Sequence, residues 1–192
     1  MPPKCKFTRN EIIQAAIEIA RDEGTSSITA RALGTKLGSS SKPIFSIFTN
    51  MDELHNEVKK TAKTLYSEYV KKGLEQELPF RGVGTQYILF AIKEPKLFQL
   101  LFMSEQEYKP TVANVLPTID DNYKAILLSV QNGYDLSEEQ AKQLYRHLWI
   151  YTHGIAVLCA TNLCVFTAEE ISKMITQVFS GVLKEIKGAF VQ

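Results

Sequence analysis

Between Gly38 and Leu54 the chain reads GSSSKPIFSIFTNMDEL. Ser39, Ser40, Ser41, Lys42 and Ser46 supply small hydroxyls and one cation, while Ile44, Phe45, Ile47 and Phe48 supply bulk. Hydroxyls and an ammonium at this density suit hydrogen bonds to base edges and phosphates. They would need a partnered base to act as nucleophiles, and none is spaced for it. Elsewhere the sequence has no nucleophile–base pair, phosphate-binding glycine loop or metal cluster, so an enzyme is not expected. Cys5, Cys159 and Cys164 form no CxxC pair, and His55, His147 and His153 have no metal-ligand spacing with them. Neither a metal, a cofactor nor a disulfide framework is expected, and the odd thiol count suits a reducing cytosol. The chemistry on offer is binding.

Charge supports that reading once it is resolved along the chain. The formal net charge is only +1. Yet Lys4, Lys6 and Arg9 cluster in the first ten residues without an acid, and residues 25–51 hold Arg31, Lys36 and Lys42 with no Asp or Glu. Fields decay over about 8 Å at physiological salt, so a phosphate backbone senses the patch and not the total. Apolar residues make up 45% and charged residues 22% of the 192, an ordinary globular balance. The uncharged run within Leu148–Thr167 is interrupted by Thr152, His153, Gly154, Thr161 and Asn162, and reads as a buried helix, not a membrane span. The opening MPPKCKFTRN has no apolar stretch behind it and does not read as a signal peptide. A cytoplasmic protein without a membrane partner is expected.

The elements that must hold these residues are helices. Thr8 with Glu11, Ser137 with Gln140, and Thr167 with Glu170 each have the spacing of a capping box, and Asn50 with Glu53 is a weaker version. No convincing alternating run suggests a strand. The first helix is expected over Arg9–Glu23, ended by Gly24, and a second, short one follows the cap Thr29. Gly34 in its middle implies close packing, since glycine there costs about 1 kcal/mol against alanine. A third is expected from Ser40 as N-cap, with Pro43 at its third position, where a missing N–H matters little. A fourth is expected from Asn50 to about Lys72. Further helices are expected around Arg81–Lys93, Pro95–Met103, Ala113–Asn132, Ser137–Thr161 and Thr167–Lys187. The fold class is therefore all-α, with about nine helices.

Helix, short helix, glycine turn, short helix is a helix-turn-helix, whose second helix sets its N-terminal residues against base edges in the major groove. Lys42 can reach a guanine or a phosphate. At this point the residues resemble a family. Residues 8–58, through ITARALGTKLGSSSKPIFSIFTNMDEL, are similar to the DNA-binding domain of TetR-type transcriptional regulators, with Gly38, Ser40, Ile44, Phe48 and Leu54 in register and Phe45 at the family's tyrosine position. Ile47 and Met51 stand where the family commonly has histidine and lysine. The resemblance implies a DNA-binding set of Lys4, Lys6, Arg9, Thr29, Arg31, Lys36, Ser39, Ser40, Ser41, Lys42, Phe45, Ser46 and Asn50. It also implies a three-helix reading domain over 1–48 and an effector-binding and dimerisation domain over 49–192.

In that second domain RHLWIYTHGIAVLCATN resembles a Trp-x-x-x-His-Gly motif of the family through Trp149, His153 and Gly154. An apolar or aromatic small-molecule effector would meet Tyr87, Phe90, Phe98, Phe102, Tyr123, Trp149 and His153. The same aromatics could equally be the core of a helical bundle, and His153 could be a hydrogen-bonded core residue. Homodimerisation through the last two helices would use Ile171, Ile175, Val178, Phe179 and Val182, although core packing explains the same stripe. The function implied is a repressor of a palindromic operator, released by its effector. The alternative is a helical dimeric ligand-binding or interaction protein that has lost DNA recognition.

Overall fold

The computed structural model describes residues 6–105 and 109–188. Ten α-helices occur among them, with no strand. Packing divides the chain into two compact units.

The first unit takes the described residues up to Leu65 together with Glu94–Ser104. It holds α1 (Arg9–Glu23), α2 (Ala30–Lys36), α3 (Lys42–Phe45), the first part of α4 (Met51–Leu74) and α6 (Pro95–Phe102). Thr8 caps α1 with both halves of the box formed, and Gly24 stops it at φ 94°. Ile12, Leu33, Ile44, Phe48, Leu54, Leu97 and Phe98 are each at most 1% exposed and form the core. α6 packs on α1, and the Arg21 guanidinium donates twice to the Glu94 carboxylate at 2.8 and 2.9 Å.

Two expectations need correction here. α3 begins after Ser41, not Ser40, so Pro43 is its second residue, and it is a single turn. The cause lies in Gly34: a Cβ there would stand 2.9 Å from the Ser39 carbonyl oxygen and 3.3 Å from the Ser41 nitrogen. Its absence lets the turn lie on α2, with the Ser39 N–H donating to the Gly34 carbonyl at 2.8 Å. The close packing inferred at Gly34 is present, but against a turn and not a helix. α4 starts after Asn50, whose Oδ1 accepts the Glu53 N–H at 2.8 Å.

The second unit takes Tyr66–Lys93 and the described residues from Glu105 onward. It holds the end of α4, α5 (Pro79–Lys93), α7 (Val115–Ile119), α8 (Tyr123–Tyr134), α9 (Glu138–Ala160) and α10 (Ala168–Ile186). α9 is central, packing on α5, α8 and α10. Ser137 and Thr167 cap α9 and α10 with complete boxes. α4 and α5 meet at two glycines, where a Gly73 Cβ would fall 2.6 Å from the Val83 backbone and a Gly82 Cβ would collide with the Gly73 carbonyl.

The helix expected over Ala113–Asn132 is two helices, which raises the total from nine to ten. Asp120 breaks it. Its Oδ1 accepts the Asn122 N–H at 2.8 Å, an Asx-type turn in which the side chain captures a backbone donor that a continuing helix would use.

Candidate nucleic-acid interface and ligand cavity

In the first unit the tip of α3 is polar and open. Ser40, Lys42 and Ser46 are exposed, Ser39 and Ser41 half-buried. Ile44 and Phe48, each 1% exposed, anchor the other side of the element. Phe45 points outward, 49% exposed. The Ser46 hydroxyl donates to the Pro43 carbonyl at 2.6 Å and so helps to close the short turn. Thr29 and Asn50 are exposed but use their side chains as caps, accepting from Ala32 and Glu53.

The expected cations divide by partner. Arg9 lies over the Phe48 ring at 4.4 Å and reaches Glu53 at 2.8 Å and Glu57 at 3.6 Å. Glu53 also accepts the Thr49 N–H at 2.7 Å. That bond, then Arg9, holds its carboxyl below the usual range. Lys36 pairs with Glu18 at 2.8 Å. Lys6 is exposed, with its ammonium 3.4 Å from the Gly38 carbonyl beside the serine turn. Arg31 and Lys42 are exposed and form no ion pair among the described residues. Lys4 and Cys5 lie outside the described residues.

The second unit encloses a cavity of about 220 Å³. Tyr66 of α4, Phe80 and Tyr87 of α5, Tyr134 of α8, Tyr145 and Trp149 of α9 and Phe179 of α10 line it, with Arg81, Asp120, Thr152 and Thr176 as polar members. Two hydrogen-bonded sets fix this wall. The Tyr66 hydroxyl donates to Asp120 Oδ2 at 2.8 Å, and the Asn122 carboxamide bridges Asp120 Oδ1 and the Ser67 hydroxyl at 3.1 and 3.2 Å. Burial pushes the Asp120 carboxyl up, against the lowering effect of the Asn122 and Tyr66 donors. In the second set Trp149 hydrogen-bonds Tyr87, and the Tyr87 hydroxyl lies 2.9 Å from His153 Nδ1. His153 stacks on Trp149 at 5.1 Å, and burial lowers its pKa.

Of the seven aromatic and histidine residues expected at an effector, Tyr87 and Trp149 are on the cavity wall. His153 does not line the cavity but supports them, hydrogen-bonded to Tyr87 and stacked on Trp149. Phe90 is fully buried, packed on Tyr66 and Tyr69 at 5.5 and 5.2 Å. Tyr123 does not line the cavity but stacks at 5.7 Å on Tyr145, which does. Phe98 and Phe102 belong to α6 in the first unit, in contact at 5.2 Å. Sequence reasoning missed Tyr66, Phe80, Tyr134 and Tyr145, and it missed Asp120, whose signal was an acid between two apolar helical stretches.

The α10 stripe expected at a dimer interface turns partly inward. Ile171 is buried, Ile175 and Phe179 line the cavity, and Phe179 packs on Tyr134 at 4.9 Å. Val178 and Val182 are half-buried. On α9, Ile150 and Leu158 are 49% and 37% exposed. Gly154, exposed between them, has nothing within 4 Å of where its Cβ would stand. No other element among the described residues packs against that position. Among the described residues no group of three or more His, Cys, Asp or Glu could hold a metal ion. No described helix is long and apolar enough to cross a membrane.

Comparison with known proteins gives this arrangement a lineage. Residues 80–179 match the family described as tetracyclin repressor-like, C-terminal domain. The uncharacterized HTH-type transcriptional regulator YobS of Bacillus subtilis (strain 168) is 24% identical over 175 residues, covering 88% of this chain and 87% of YobS. A chain from Mesorhizobium loti MAFF303099, assigned to the TetR-family transcriptional regulators, is similar in fold, with a TM-score of 0.53 at 18% identity over 93% of this chain and 98% of its own. The matched segment is more than half of the chain and runs from α5 into α10, and a helix-turn-helix precedes it. On that basis the chain belongs to the TetR family of transcriptional regulators.

Proposed function

We propose that this regulator is a homodimeric repressor that grips a palindromic operator with the α3 tips and lets go when a small apolar or aromatic effector fills the cavity of the second unit. The observation that carries the DNA reading is the exposed serine–lysine tip, fastened by the fully buried Ile44 and Phe48. A small polar end on an immobile apolar base is what entry into a major groove requires. Lys6, Arg31 and Lys42 are the cations best placed to contact phosphates, with Lys4 beside them in sequence. Arg9 is better read as a clamp between α1 and α4, because a phosphate would have to compete with two carboxylates for it.

Dimerisation through the last two helices suits the exposed Ile150, Gly154 and Leu158, spaced four apart along one face of α9. A two-fold dimer matches the symmetry of a palindrome. Release is then a population shift, in which the effector prefers a conformation whose reading helices are misplaced. Moving the equilibrium from mostly bound to mostly free takes a preference of several kcal/mol.

Selection of binding sites from a random duplex pool tests this reading, followed by titration at several salt concentrations. The expected product is an inverted repeat. With about seven phosphates neutralised per dimer, log affinity falls against log salt with a slope near −6. An unenriched pool with salt-insensitive binding favours the ligand-binding or interaction protein instead, for which Phe45, Ile47 and Met51 in place of tyrosine, histidine and lysine already speak.

A further inference from the structure

The cavity wall is mostly apolar, so its few polar atoms decide what it can hold. Trp149, Phe80 and Phe179 offer aromatic surfaces. Its volume of about 220 Å³ is below the range of roughly 300–1,000 Å³ usual for drug-sized ligands, which suits a compact one- or two-ring compound. One part of the wall is chemically distinct. Asp120 is 6% exposed, and its donors can be counted. Oδ1 accepts two hydrogen bonds from Asn122, while Oδ2 accepts one from Tyr66. A carboxylate oxygen has room for two, so Oδ2 retains a place for one more donor. Asp120 has no ion-pair partner among the described residues.

Tyr145 adds a second observation. It is 4% exposed and lines the same cavity, and its hydroxyl makes no hydrogen bond to a described residue. No enclosed side-chain nitrogen or oxygen among the described residues lacks a partner, so this hydroxyl must reach open space, and the cavity is the space it lines. A buried carboxylate with a spare acceptor position and a hydroxyl awaiting a partner call for a donor from the ligand. Arg81 is the cation on the wall, but it is exposed and already donates to the Ser172 hydroxyl at 2.9 Å.

We infer that the ligand of this cavity is a compact, flat apolar molecule whose one polar end donates hydrogen bonds, an amine before a hydroxyl and not a carboxylate, held by Asp120 and Tyr145. Its regulatory meaning rests on the cavity being the effector site. An ammonium would also compensate the unpaired carboxylate, which a hydroxyl cannot do.

The test uses the full chain and four probes of one shape: 2-aminoindane, 2-indanol, indane and indane-2-carboxylic acid. Trp149, the only tryptophan, lies on the wall, so its emission reports entry, with calorimetry as a second readout. The amine should bind about tenfold or more tighter than indane, as a charge-assisted hydrogen bond of ~1.5–3 kcal/mol would give. The alcohol should fall between them and the acid should be weakest. Asp120→Asn, nearly isosteric, should abolish the advantage of the amine. Tyr145→Phe, which keeps the ring packing, should weaken the amine and the alcohol several-fold and leave indane unchanged. An acid that equals the amine overturns the inference, as does an amine preference that survives Asp120→Asn, or failure of all four probes to bind. Operator binding is read separately. An amine that binds through Asp120 yet leaves operator affinity unchanged upholds the ligand chemistry and overturns the effector reading.

Discussion

Asp120 concentrates several consequences in one side chain. It ends α7 by capturing the Asn122 N–H, ties to α4 through Tyr66, and presents a carboxylate to an apolar cavity. Burial raises its folded pKa above the unfolded value. A group shifted upward contributes stability that is fully present below its unfolded pKa and is lost as the pH rises through its folded pKa. At neutral pH the ionised form is therefore a cost to the fold. Asp120→Asn should melt higher than the parent at pH 7, by about 2–4 °C for each kcal/mol of relieved cost in a chain of this size. The gap should close as the pH falls towards about 4, the unfolded range of aspartate. Thermal unfolding followed by circular dichroism at both pH values checks this, and a gap that widens on acidification contradicts it. Both proteins contain His153, whose pKa burial lowers, so its loss of stabilisation below about pH 6.5 cancels in the comparison. A carboxylate kept at such a cost fits a role in recognition.

Among the elements, the helix starts were legible because their determinants lie within four residues of each other. Thr8 with Glu11, Ser137 with Gln140 and Thr167 with Glu170 all close as boxes. The break between α7 and α8 was not legible, since it depends on Asp120 meeting Tyr66 from far along the chain. The cavity wall failed in the same way: periodicity marks an apolar face but not which neighbour covers it, so Phe90 went to the core and Tyr145 was overlooked. The exposed serine–lysine turn and its buried anchor were more legible, because glycine, serines and an apolar flank are all local. α4 carries both kinds of information on one helix. Glu53 and Glu57 near its start meet Arg9, and Tyr66 near its end meets Asp120. Thr61 lies between them, its hydroxyl bonded to the Glu57 carbonyl at 2.8 Å. Thr61→Pro removes one backbone hydrogen bond and crowds that carbonyl, a local cost of about 3 kcal/mol. The variant should fold and bind operator but no longer release it when ligand is added, as read by operator titration with and without ligand. Unimpaired release would mean that α4 is not the lever.

For the whole molecule the decisive quantity is the number of reading heads acting together. If one head neutralises three or four phosphates, as proposed, the slope near −6 expected of a dimer falls to about −3 for a single head. Gly154 offers a way to separate the two states without harming the fold. It is exposed on α9 between Ile150 and Leu158, and beyond its own helix backbone and chain neighbours no described residue comes within 4 Å of a Cβ placed there. Its φ does not fall in the left-handed range. Within the chain, Gly154→Arg should be favourable, since arginine is better than glycine in a helix interior by roughly 0.8–1 kcal/mol. Across a two-fold interface the same change sets two guanidinium groups against a close backbone approach, and like charges held there cannot both be solvated. The variant should keep its helical signal in circular dichroism, sediment as a monomer, and bind operator weakly with the halved salt slope. A variant that still sediments as a dimer with full operator affinity would place the two-fold interface on another face and return the Ile150–Leu158 stripe to the open surface.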